Sequence, residues 1–203
     1  MSMYMRRRMW GAGAALVALA AGLTACADSD TRAGSCTDGK YTWSGIERTQ
    51  KVTKLAGPIT IARPTASYKA QLEVIDTVVY NRTVSPVPPG AGASGVLAAL
   101  DEHLDVDESK VGARGVVDTR HGDSYVEGTA LHKGAYYAWS YVDLVDADFT
   151  YTCEDVEPVK GHVRTWDEIG SDIRPCAEAA PSESGREAAA LRCPTGSKAA
   201  QEA

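Results

Sequence analysis

The chain has 203 residues, 44% of them hydrophobic and 24% charged, with a formal net charge of −6. That length suits one domain with a full core, and the acidic balance argues against nucleic acid and against direct adhesion to anionic lipid, since both select Lys and Arg patches. Acidity names no partner beyond that; a soluble surface is its simplest meaning.

The first predicted element is a leader. Arg6-Arg7-Arg8 makes a positive n-region, residues 11–23 form an apolar run rich in Ala, Gly and Leu, and small residues precede a cut site. Leu23-Thr24-Ala25-Cys26 resembles the lipobox of bacterial lipoproteins. The resemblance implies that Cys26 receives a diacylglyceryl group on its thiol and becomes the first residue after cleavage. Two acyl chains, at about 0.8 kcal/mol per buried CH₂, anchor a domain stably where one would not. The uncharged stretch from Met9 to Ala27 reaches the lower end of spanning length, but its Ala and Gly content makes it a weak membrane helix. The expected organisation is a signal peptide over 1–25, a lipidated flexible tether over 26–35, one extracytoplasmic β-rich domain over 36–194 and a disordered tail over 195–203. The expected location is the outer face of the cell membrane. Three arginines and no acid leave with the leader, taking the formal charge from −6 to −9.

With Cys26 assigned to lipid, Cys36, Cys153, Cys176 and Cys193 remain. Outside the cytoplasm four thiols form two disulfides, with three possible connectivities. The expected pairs are Cys36–Cys153, tying the start of the domain to its most apolar strand region, and Cys176–Cys193, pinning a segment rich in Ala, Ser and Glu. A loop of that second size contributes about 3 kcal/mol in the chain-entropy treatment. No C-x-x-C is present and no two Cys or His have ligand spacing, so neither a redox motif nor a zinc site is expected, and no cofactor is implied.

Along the domain, Tyr41 to Ile46 alternates and predicts a strand, with Lys51 to Leu55 a weaker one. Ile59 to Ala62 lies between Gly57-Pro58 and Arg63-Pro64 and predicts a short or edge strand. Gln71 to Tyr80 is the cleanest strand by composition. Ser94 reads as the cap of the principal helix, about 94–105, with Val96, Leu97, Leu100 and Leu104 at helical spacing. Strands follow at Val111 to Thr119 and Ser124 to His132. Ala135 to Cys153 then carries an apolar face at period two through Tyr137, Trp139, Tyr141, Val145, Ala147, Phe149 and Tyr151. Nineteen residues exceed the usual strand, so a bend or tight turn is expected near Asp143 to Asp146. Gly161 to Trp166 predicts a last strand and Glu187 to Leu191 a short helix. The fold class is mainly β, α+β: an antiparallel sheet or small sandwich with one principal helix.

The Cys-Thr-Asp-Gly start, the Asp-Phe-Thr-Tyr-Thr-Cys strand, Gly-His-Val-Arg-Thr-Trp and the two terminal cysteines resemble uncharacterised lipoproteins of high-GC actinobacteria. The resemblance implies location and disulfides and carries no activity.

Candidate chemistry is sparse. His121-Gly122-Asp123-Ser124 contains triad residue types, but a triad draws its members from separate elements, so a hairpin turn is expected. Asp101 to Glu108 packs five acids and a His; it lacks the Gly and Glu register of a calcium loop and reads as a solvated helix end. In the Tyr136, Tyr137, Trp139, Tyr141 cluster, Tyr137, Trp139 and Tyr141 read as core, with Tyr136 and Ser140 facing outward. His132 and His162 are lone strand histidines, and Asn81-Arg82-Thr83 is an incidental acceptor pattern. The function expected is a membrane-tethered binding or interaction domain with an envelope protein or glycan partner. The alternative is an envelope hydrolase that draws Asp143, Asp146 or Asp148 into a cleft.

Overall fold

The computed structural model describes residues 36, 38–106, 116–154 and 156–203. The leader, Cys26, the tether and the start of the strand expected from Val111 lie outside the described residues. The elements in chain order are β1 (Lys40–Ala56), β2 (Ile59–Ile61), β3 (Thr65–Val74), β4 (Val79–Asn81), β5 (Thr83–Ser85), α1 (Gly92–His103), β6 (Val116–Asp118), β7 (Tyr125–Leu131), β8 (Gly134–Cys153), β9 (Val156–Pro175), α2 (Glu183–Arg192) and α3 (Lys198–Gln201). Seven strands form an antiparallel sheet in the order β5-β9-β8-β1-β3-β7 with β2 on β8, and β4 and β6 form a separate two-stranded ribbon.

The long apolar stretch is one 20-residue strand, β8, and not two strands about a turn. What stands where the turn was expected is a bulge: Asp143 pairs with Glu168 and Leu144 with Trp166, leaving Asp167 as the extra residue of β9. The strand outgrows the usual length because different partners cover its two halves. Its odd positions face α2 and α3 at one end, through Tyr137 and Trp139, and α1 at the other, through Ala147, Phe149 and Tyr151. Its even positions face β2, β3 and β7 through Tyr136 and Ala138. Tyr136 and Ser140, expected to face outward, are therefore buried. The far edge curls toward closure, with Gly128 of β7 so close to Ile173 of β9 that a Cβ would sit 2.9 Å from its Cγ2.

The strand expected over Gln71 to Tyr80 breaks at Ile75–Val78. Asp76 accepts the Val78 amide through Oδ1 at 3.0 Å and the Tyr80 hydroxyl through Oδ2 at 2.5 Å, while Thr119 donates to the carbonyls of Asp76 and Val78. Asp turn chemistry outweighs β propensity here. The principal helix spans 92–103 and not 94–105. Its N-cap is Ala91 without a side-chain bond, so Ser94 does not cap it. The C-terminal helix is longer than expected because Ser182 caps it, accepting from the Gly185 amide at 3.1 Å. The 195–203 segment expected to be disordered carries α3, with Ala199 fully buried and its amide bonded to the Cys176 carbonyl.

Both expected disulfides are present, Cys36–Cys153 with Cα atoms 6.3 Å apart and Cys176–Cys193 with 5.5 Å. Among the described residues no helix is long and apolar enough to cross a membrane.

One buried ion pair fastens α1 to the sheet. The Arg82 guanidinium donates to both Asp101 oxygens at 2.9 and 3.0 Å and to Thr165 Oγ1 at 2.7 Å, and both charged side chains are about nine-tenths buried. Arg82→Ala is expected to cost about 3–5 kcal/mol in urea unfolding, because it removes one partner of a buried ion pair and the donor to Thr165. The double variant Arg82→Met with Asp101→Leu should recover most of that loss.

Candidate functional site

Strand parity distributes the polar groups. Successive side chains of β8 alternate between faces, so Asp143 lies on the odd face and Asp146 and Asp148 on the even face. The three acids considered for a hydrolytic cleft do not converge. They belong to two separate arrangements.

The first lies on the odd face, beside the C-terminal end of α1. The bulge puts Asp167 and Glu168 of β9 next to Asp143, and Arg48 reaches over from β1. Arg48 donates to Asp167 Oδ2 through Nε at 2.9 Å and Nη2 at 2.7 Å. Gln50 Nε2 donates to Asp143 Oδ2 at 3.4 Å, and the Tyr141 hydroxyl donates to Glu168 at 3.0 Å. Arg48, Asp143, Asp167 and Glu168, with Leu104, Asp105 and Val106, line an open cleft of about 300 Å³. Asp143 Oδ1 and Asp167 Oδ1 are both buried without a hydrogen-bond partner among the described residues. Burial, and then the charge of Asp167, push the Asp143 carboxyl above its usual range, while Gln50 and Arg48 oppose the shift. A raised carboxyl beside two further carboxyl groups is an arrangement that general acids use.

The second arrangement is on the even face, where His162 and Arg164 of β9 lie opposite Asp148 and Asp146 of β8. His162 Nδ1 is 3.0 Å from Asp148 Oδ1 and Nε2 is 3.0 Å from Asp146 Oδ1, and Arg164 Nε donates to the same Asp146 oxygen at 2.9 Å. Carboxylates accept only, so both ring nitrogens must carry protons for both bonds to exist. The bond to Asp148, assisted by Asp146, raises the imidazole above its ordinary value. Held between two carboxylates, the imidazole is favoured in its protonated form, in which both nitrogens donate. Beside it, Thr49, Val78, Val79, Tyr80, Leu144, Arg164 and Trp166 are among the residues lining a cleft of about 480 Å³.

The remaining sequence candidates are structural. Residues 121–124 form a bent link after the turn at 119–120, and β6 and β7 belong to different sheets, so it is not a hairpin. Its carbonyls at His121 and Asp123 take the buried Lys54 ammonium at 2.8 and 2.9 Å. Asp101 is the partner of Arg82 and not part of a solvated helix end, and residues 107–110 of that acidic run lie outside the described residues. No cluster of three or more His, Cys, Asp or Glu among the described residues is arranged to hold a metal. His132 donates its backbone amide to the Tyr136 hydroxyl. Cys26 lies outside the described residues.

His162 was read as a lone strand histidine, and Arg164, Asp167, Glu168 and Arg48 were not singled out by sequence. A signal existed for the first two: His162, Arg164 and Trp166 alternate at period two, as do Asp146 and Asp148. The bulge that recruits Asp167 has no comparable signature.

Neither a protein-family model, nor a curated protein, nor a solved structure matches the chain.

The His162 clamp has a definite pH sign. A folded-state value above the unfolded one contributes stability that is complete below about pH 6.5. That stability is lost as pH rises through the raised value. An NMR titration of the His162 ring should show a midpoint above about 6.5, moving downward in Asp148→Asn. An unshifted midpoint would remove the doubly bonded imidazole.

Proposed function

We propose that the chain is a lipoprotein anchored through Cys26 on the extracytoplasmic face of the cell membrane, where its β-rich domain binds an envelope component. One observation carries the reading. Four of the five cysteines form disulfides, and the fifth is the Cys of Leu23-Thr24-Ala25-Cys26. Two disulfides fit an oxidising compartment, and an odd cysteine at the end of a charged, apolar leader fits lipid attachment. The similarity to actinobacterial lipoproteins points the same way. A binding role is supported by two clefts, on opposite faces of the sheet, with polar groups at their walls.

Growth of a bacterial host with an alkyne-tagged fatty acid tests the anchor. The wild-type chain is expected to take up label and sediment with membranes. Cys26→Ser should lose both label and sedimentation; label retained in that variant would sink the reading.

A second reading is favoured by one observation, the raised carboxyl of Asp143 beside Asp167 and Glu168. In it the domain is an envelope hydrolase with Asp143 as general acid and a neighbouring carboxylate as base or nucleophile. Asp146 and Asp148 have no part in it, since they point to the other face. The purified chain would be incubated with cell-wall glycan and the release of reducing ends followed. Loss of about 10²-fold or more in Asp143→Asn supports the hydrolase. Release that survives the substitution, or no release at all, removes it.

A further inference from the structure

We propose that the cleft between the β4–β6 ribbon and the even face of the sheet is a binding site for an uncharged glycan. This deepens the reading of an anchored binding domain and rests on it.

The strand register builds the site. Thr83, Arg164, Asp146 and Glu47 stand side by side across β5, β9, β8 and β1, and Trp166, Leu144 and Thr49 form the adjacent row. The ribbon side adds Val78, Val79 and Tyr80, with Val78 48% and Val79 40% exposed. Trp166 is buried beneath, so the open apolar contact comes from the valines and the half-buried Leu144. A volume of about 480 Å³ is in the range of sites for small molecules.

Charge balance selects the ligand. At the cleft wall Arg164 offsets Asp146, and the two are already paired with each other at 2.9 Å. An anion meets the Asp146 carboxylate and a cation meets the Arg164 guanidinium, so neither gains. A wholly apolar ligand would cover polar groups without satisfying them. Among the described residues, Asp146 Oδ2, the terminal nitrogens of Arg164 and the hydroxyls of Thr49 and Thr83 take no hydrogen bond, and all four residues line the cleft. Here a guanidinium that only donates sits beside a carboxylate that only accepts. Adjacent sugar hydroxyls can do both at once, while the C–H face of the ring covers the valines.

The full-length chain in detergent would be titrated by calorimetry and saturation-transfer NMR. Chitotetraose, maltotetraose and mannotetraose serve as neutral probes, tetragalacturonate as the anion and tetraglucosamine as the cation. At least one neutral probe is expected to bind with a millimolar or lower Kd and more tightly than either charged one. Arg164→Ala should weaken it about tenfold or more, and so should Val79→Trp, which fills the cleft and leaves the Arg164–Asp146 pair in place. Glu187→Ala, on exposed α2, should change nothing. Circular dichroism and melting of each variant exclude unfolding as the cause. The proposal is overturned if no neutral probe binds at millimolar concentration, if a charged probe binds best, or if both cleft variants bind like wild type. Failure with Cys26 still lipidated overturns the site and leaves the anchored-domain reading standing. Loss of lipidation with glycan binding intact does the reverse.

Discussion

The structure depends on the two-sided burial of β8. From Tyr136 to Ser140 every side chain is buried, and the two faces of the strand belong to different clusters. Tyr137 and Trp139 stack with ring centroids 5.0 Å apart beneath α2, while Tyr136 and Ala138 seal the sheet formed with β2, β3 and β7. Each large side chain so buried contributes roughly 1.5–3 kcal/mol. A slip of one residue would exchange the faces and expose the whole set, so the register of β8 with β1 and β9 is strongly held. The helices follow from it. Trp139 Nε1 donates to the buried Ser184 hydroxyl at 3.1 Å, which in turn donates to Gln50 at 3.0 Å, so α2 docks through a satisfied polar chain.

The same parity governs the chemistry. One strand carries Asp143, Asp146 and Asp148, and the pleat separates the first from the other two. The β9 bulge then gathers acids on the odd face by adding Asp167 beside Glu168, while alternation without a bulge brings His162 and Arg164 against Asp146 and Asp148 on the even face. The two clefts therefore differ in kind. One concentrates carboxylates around a single arginine, and the other balances its charges. A ligand suited to one is poorly suited to the other.

Much of the fold was legible, and the failures have specific causes. The sequence marked the apolar β region at Ala135 to Cys153, the presence of the principal helix and, as an expectation, both disulfide pairs. Strand-length expectations placed a turn at Asp143 to Asp146, where cover from separate partners keeps one strand running. Val74 to Tyr80 has the composition of a strand, yet Asp76 captures the Val78 amide and the Tyr80 hydroxyl and turns the chain. The end of the chain was expected to be disordered, but Ala199 needs little area to seat in the cluster with Cys176, which the disulfide fixes to Cys193. The acid cleft was invisible because its members come from β1, β8, β9 and the end of α1.

By itself the sequence determined the class of the domain and the apolar strand region at its centre. These follow from composition and from periodicity along one chain segment. Only the tertiary structure decided which face each acid of β8 occupies relative to its neighbours, where β9 bulges, and that Arg82 and Asp101 meet in the core. Those outcomes rest on register between strands distant in sequence. Register is set by the simultaneous packing of both faces, a condition that no single segment contains.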